Sequence, residues 1–170
     1  MRRIVVTSFL SLDGVAENPA WTFPYWNDEI AQFKGEETEA SDALLLGRVT
    51  YQGFAAAWPD SLDEGAPYFN NVRKYVVSNT LERAEWNNSV LIRGDIIAEI
   101  ARLKQGDGKD IMVHGSATLV QTLMQHDLVD CYRLLVYPVV LGTGRRLFHE
   151  GSSATLRLVE TRSFSSGVAA

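Results

Sequence analysis

Ala43-Leu44-Leu45-Leu46-Gly47-Arg48-Val49-Thr50-Tyr51 is the stretch from which the fold can be read. Four consecutive apolar residues are too few for a buried helix and suit a short strand covered on both faces. Gly47 permits a tight turn, and the pattern from Val49 to Ala56 predicts a helix closed by Trp58-Pro59. The arrangement recurs at Ile111-Met112-Val113-His114-Gly115-Ser116-Ala117-Thr118, where the following helix carries Leu119, Val120, Leu123 and Met124. The first amides of such helices lack intrahelical partners and attract anions. Arg48 adds a forked cation, and Thr50 and Ser116 add hydroxyls. Each turn alone also reads as an ordinary capped helix start with a surface arginine or a serine N-cap. Two of them in one parallel sheet favour a ligand, because open α/β sheets bind beyond the carboxyl ends of their strands.

Outward from these turns, Arg3 to Phe9 predicts a first strand, and Glu17 to Trp26 an ordered loop rich in proline and tryptophan. Asn27 or Asp28 caps a helix that turns Ile30, Phe33 and Thr38 inward. Lys74–Ser78 and Ser89–Ile92 are strands, and Asp95 caps a helix with Ile96, Ile97, Ile100 and Leu103 on its apolar face. Asp130–Val140 reads as a long strand and Thr155–Glu160 as a short alternating one, with Ser163–Ala170 opening a last hairpin. Strands alternate with helices early and follow one another late. This predicts a single domain over residues 1–170, three-layer α/β, with a mixed, mostly parallel sheet and helices on both faces.

The net charge of −5 on 170 residues argues against a non-specific grip on nucleic acid, which needs a basic surface. The single cysteine, Cys131, suits a reducing, cytoplasmic setting. No stretch approaches the length of a membrane-spanning helix, and the apolar run after Met1-Arg2-Arg3 reads as a core strand rather than a leader. His114, His126 and His149 do not pair at metal-ligand spacing, so no metal is expected. Gly142-Thr143-Gly144-Arg145-Arg146 lacks the third glycine of a dinucleotide fingerprint and reads as a bend at the sheet edge. Asp13 beside Gly14, and Asp28-Glu29 at a helix start, have ordinary explanations in turn chemistry and the helix dipole.

An ordered series of motifs then stands out: Ser11-Leu12-Asp13-Gly14, Leu45-Leu46-Gly47-Arg48-Val49-Thr50-Tyr51, Val113-His114-Gly115-Ser116, Leu128-Val129-Asp130, Pro138 to Gly144, and Leu147-Phe148. The series resembles the dihydrofolate-reductase-like family, in the branch similar to the reductase half of the bifunctional riboflavin-biosynthesis deaminase/reductase. The resemblance spans nearly the whole chain. It implies an eight-stranded sheet, NADPH as cofactor and a homodimer. It also implies that Gly47, Arg48 and Thr50 contact cofactor phosphates, that Ser78 lies near the adenosine end, and that Gly115, Ser116, Ala117 and Thr118 lie beside the pyrophosphate and nicotinamide. Ser116 stands where the family usually has a second glycine. Glu29-Ile30-Ala31-Gln32-Phe33-Lys34 resembles the first helix of dihydrofolate reductases and puts Glu29 at the position of their acid. Asp13, Trp21, Phe33 and Glu29 are thereby expected on the substrate side, with Asp13 and Glu29 as the catalytic pair.

The leading expectation is an NADPH-dependent reductase that passes a hydride to a small riboflavin-pathway aminopyrimidine-like or pterin-like substrate. The alternatives are an NADP(H)-binding protein without reductase activity and a purely structural dimer. Residues 1–170 contain no His-x-Glu with Pro-Cys-x-x-Cys, so the likeness is to the reductase half alone.

Overall fold

A computed structural model describes residues 1–170. The elements run β1 (Ile4–Leu10), a 3-10 helix (Pro19–Tyr25), α1 (Asp28–Ala40), β2 (Ser41–Gly47), α2 (Arg48–Ala57), α3 (Ala66–Asn71), β3 (Arg73–Val77), β4 (Ser89–Ile92), α4 (Ile96–Gln105), β5 (Asp110–His114), α5 (Ala117–Gln125) and β6 (Cys131–Val136). One sheet holds all six strands in the order β4-β3-β2-β5-β1-β6. Every pairing in it is parallel.

Strand alternation sorts the core into two faces. Ile4, Val6, Leu45, Ile111 and Val113 pack on one face against Ile100 of α4 and Leu119, Val120 and Leu123 of α5. Val5, Leu44, Leu46, Val76 and Met112 pack on the other against Tyr51 of α2 and Phe69 of α3. On that second face, near β6, Ile30 and Phe33 of α1 join Leu135, Tyr137, Phe164 and Val168. Asn27 caps α1 through Ile30 N–H, as its sequence predicts. The inward stripe of α1 ends at Glu37 instead of Thr38.

The expected eight strands are six, and the sheet is parallel rather than mixed. The physical reason lies in the last sixteen residues. Thr155–Glu160 alternates as a strand should, yet forms none, and Leu156, Leu158 and Val159 are 58%, 77% and 75% exposed. Phe164 and Val168 instead fill a slot beside Phe33 and Tyr137. The segment around them folds back as a small turn, touching the sheet by one antiparallel bridge, Val136 to Ala169. Antiparallel pairing is confined to such isolated bridges. The strand expected over 130–140 stops at Val136, ahead of Pro138, which has no N–H to donate. No helix is long and apolar enough to cross a membrane.

Candidate functional site

β2 and β5 are neighbours in the sheet, but α2 leaves β2 toward one face and α5 leaves β5 toward the other. In open α/β sheets such a divergence is where ligands bind, beyond the carboxyl ends of the strands. The two glycine turns follow these strands, and they are bonded to each other. The Gly47 N–H donates to Ser116 Oγ at 3.0 Å. Ser116 Oγ donates to Thr50 Oγ1 at 2.9 Å, and the Ser116 N–H reaches the same oxygen at 3.2 Å. Gly115 and Ser116 are both left-handed, at φ of 54° and 53°. Gly115 makes that conformation inexpensive, whereas Ser116 holds it under strain.

This network uses the hydrogen of the Ser116 hydroxyl and one of its two lone pairs. Thr50 Oγ1 accepts twice, so its own hydrogen remains to be donated. Neither α2 nor α5 receives a side-chain cap, unlike α1 and α4, which Asn27 and Asp95 cap. The first amides of α2 and α5, including those of Ala117 and Thr118, therefore have no side-chain cap where the two helix starts meet at Thr50 and Ser116. Arg48 is exposed, with one contact to Gln52 at 3.1 Å. Ser78 follows β3 and is buried, with its hydroxyl accepting from the N–H groups of Thr80 and Leu81.

Asp13 lies in the turn that follows β1. Its carboxylate accepts from Ser11 Oγ at 2.6 Å and from the Leu141 and Gly142 N–H groups at 3.1 and 2.8 Å. These donors, the Ser11 hydroxyl foremost, push its pKa down to about 2. Asp13 thus pins the Gly142-Thr143-Gly144 bend to β1 and stays ionised. Gly144 must be glycine here, because its φ is 117° and an added Cβ would meet Val15 Cγ1 at 2.6 Å.

Glu29 lies on the outer surface. Its carboxylate accepts from the hydroxyl and the N–H of Ser165, and these bonds hold it below the usual carboxylate range. Phe33 is buried, sandwiched by the guanidinium groups of Arg133 at 4.2 Å and Arg162 at 5.2 Å. Trp21 stands edge-on to Tyr137 at 5.5 Å and donates its indole N–H to the Glu17 carbonyl. Of the residues expected on the substrate side, Glu29 and Phe33 are engaged with Ser165 and with Arg133 and Arg162.

Sequence reading did not assign one further polar cluster. Arg133, Thr7 and His114 occupy one rung across β6, β1 and β5. Above that rung, Glu37 of α1 is buried and accepts from Thr7 Oγ1 at 3.0 Å and Arg133 Nε at 3.1 Å. Lys34 pairs with the other Glu37 oxygen and donates to Thr7 Oγ1 at 2.8 Å. Burial pushes Lys34 below the ordinary lysine range, against the opposing pull of Glu37. Burial, and then the Lys34 charge, holds His114 neutral. Two signals were present in the sequence: Lys34 falls four residues after Ile30 and Glu37 four after Phe33, both on the inward stripe. No group of three or more His, Cys, Asp or Glu side chains is arranged to hold a metal ion.

A parallel sheet with a topological switch point between β2 and β5, where two uncapped helix starts meet, defines an α/β protein of the open-sheet class. The family described as the RibD C-terminal domain matches residues 2–170, and the chain belongs to it. The chain is 31% identical to the uncharacterized protein YyaP of Bacillus subtilis (strain 168), over 98% of this chain and 92% of that protein. Among solved structures, a riboflavin-biosynthesis candidate protein from Shewanella sp. PV-4 superposes with a TM-score of 0.77 at 20% identity, covering 98% of this chain and 95% of that one. A diaminohydroxyphosphoribosylaminopyrimidine deaminase/5-amino-6-(5-phosphoribosylamino)uracil reductase from Thermotoga maritima superposes with a TM-score of 0.69 at 16% identity, over 99% of this chain and 55% of that one. These structural likenesses agree on the fold.

Proposed function

We propose that this protein is an NADPH-dependent reductase of a small heterocycle, of the aminopyrimidine or pterin kind. The observation that carries the reading is the junction where Gly47, Thr50, Gly115 and Ser116 are tied together. A dinucleotide needs anion-binding amides, close backbone approach and a hydroxyl donor, and this junction offers all three. The residues fit the group. The amides opening α2 and α5 and the Thr50 hydroxyl would hold its phosphates, and Arg48 would reach the phosphate that distinguishes NADPH from NADH. Gly115, Ala117 and Thr118 would lie along the pyrophosphate, with Ser116 acting as the strut between the two turns. Ser78, already bonded within its own turn, would shape the adenosine end by backbone position. When bound, such a cofactor supplies a hydride, and the protein contributes orientation and electrostatics.

The substrate would lie over β1 and β5, bounded by Asp13, Thr7 and His114, with Trp21 at the margin. The engagement of Glu29 with Ser165 supports an anchoring role for it rather than proton donation. The same observation favours the second reading, a dinucleotide-binding protein without turnover. Titration of NADPH fluorescence, followed by a test for NADPH oxidation with candidate heterocycles, separates the two. The exposed apolar side chains of Thr155–Glu160, unpaired within one chain, support the further proposal that the protein works as a homodimer.

A further inference from the structure

We propose that Lys34 supplies the proton that completes reduction at this site, delivered from the rung formed by Arg133, Thr7 and His114. The inference rests on the reductase reading above and deepens it. Two cations, Lys34 and Arg133, share one buried carboxylate, Glu37. Arg133 gains little from Glu36, which lies 3.8 Å from it and is taken by Arg162 at 2.8 Å. Arg162 also pairs with Glu160 at 2.6 Å, so the wider network is balanced, and within it Lys34 and Arg133 meet on Glu37. A guanidinium does not release its proton at ordinary pH. Of the two cations, only Lys34 can.

The groups facing Lys34 are few and known. Glu37 lies on its own helix, Thr7 and the Phe9 ring on β1, Arg133 on β6 and His114 on β5. Glu37 and Thr7 take two of its three hydrogens, which leaves one. Lys34 bonds to Thr7, which is in register with His114, the residue that directly precedes the Gly115 turn. Both carboxylates first expected to serve, Asp13 and Glu29, are held ionised by other partners.

The step balances as follows. Reduction of a carbonyl or imine adds a hydride to carbon, from a reduced nicotinamide that becomes oxidised. The π bond breaks, and the oxygen or nitrogen left with its electron pair takes a proton from Lys34 Nζ. The neutral amine then recovers a proton from water.

The test compares wild type, Lys34→Arg, Lys34→Met and Glu37→Gln, with NADPH and 5-amino-6-(5-phosphoribosylamino)uracil as probes. In the wild type, kcat falls as pH rises, because the ammonium is lost. Lys34→Arg keeps the charge but cannot release the proton, so kcat drops about 100-fold or more and the alkaline limb disappears. Lys34→Met loses at least as much. Glu37→Gln removes the carboxylate that favours the ammonium, so the alkaline limb moves to lower pH. All four bind NADPH as tightly as one another by fluorescence, which reports an intact fold and cofactor site. A Lys34→Arg enzyme that retains the wild-type rate and alkaline limb overturns the role of Lys34. A wild type that binds NADPH but does not oxidise it overturns the reductase reading, and the proton-donor role with it.

Discussion

The hydroxyls of Thr50 and Ser116 lie 2.9 Å apart, and this contact joins two helix starts that are sixty-six residues apart in sequence. It makes one site of two turns. Thr50 Oγ1 accepts from both the hydroxyl and the N–H of Ser116, so the methyl of valine in its place would leave both donors partly buried and unpaired. Thr50→Val is expected to cost about 1–3 kcal/mol in chemical denaturation and to weaken NADPH binding. Thr50→Ser should preserve both. Ser116 gives a second probe of the joint. Alanine and glycine each lose its hydroxyl, but only alanine must be forced to a φ of 53°. Ser116→Ala is therefore expected to be less stable than Ser116→Gly by roughly 1 kcal/mol.

Arg48 faces solvent at the start of α2, tethered only to Gln52. If it grips the phosphate that NADH lacks, Arg48→Ala weakens NADPH binding by about 1.5–3 kcal/mol, the worth of a charge-assisted hydrogen bond. NADH binding stays near its wild-type value. Equal loss for the two dinucleotides, measured by fluorescence titration, would remove Arg48 from the phosphate site.

The carboxylate of Asp13 is expected to hold the 141–146 bend in place over most of the acid range. Its pKa is about 2 in the folded chain, against about 3.9 for a free aspartate. A carboxyl depressed by folding stabilises the fold above its unfolded pKa, and that contribution fades as pH falls through the folded value. The bond to Gly142 should persist at pH 4 and disappear near pH 2. Asp13→Ala should free the bend at all pH values, seen as faster hydrogen exchange at the Leu141 and Gly142 amides.

Glu29 has a corresponding structural consequence. Its bonds to Ser165 tie the chain end to the first turn of α1. Glu29→Ala is expected to raise hydrogen exchange at Ser165, Phe164 and Val168 while leaving the alkaline limb of any turnover in place. Loss of that limb with no change in exchange would return Glu29 to the role of acid.

Much of the fold was legible in the sequence because parallel strands and amphipathic helices leave local marks. The apolar run before Gly47, the caps at Asn27 and Asp95, and the glycine at 115 all register within a few residues. What misled was the end of the chain. Thr155–Glu160 alternates like a strand, but alternation says only that a segment could pair, and no strand within the chain pairs with it. Phe164 and Val168 carry no periodic mark, yet the slot beside Phe33 and Tyr137 holds them.

The sequence by itself determined the two turns and the order of motifs, since glycine at a strand end and a hydroxyl beyond it are local requirements of backbone geometry. Only the tertiary structure decided that Ser116 braces Thr50, that Glu29 is spent on Ser165, and that Lys34, Glu37, Thr7 and Arg133 meet beside His114. Each of those facts is a contact between groups distant in the chain. Their charges and hydrogen bonds are set by burial and partner, which a residue's neighbours in sequence do not specify.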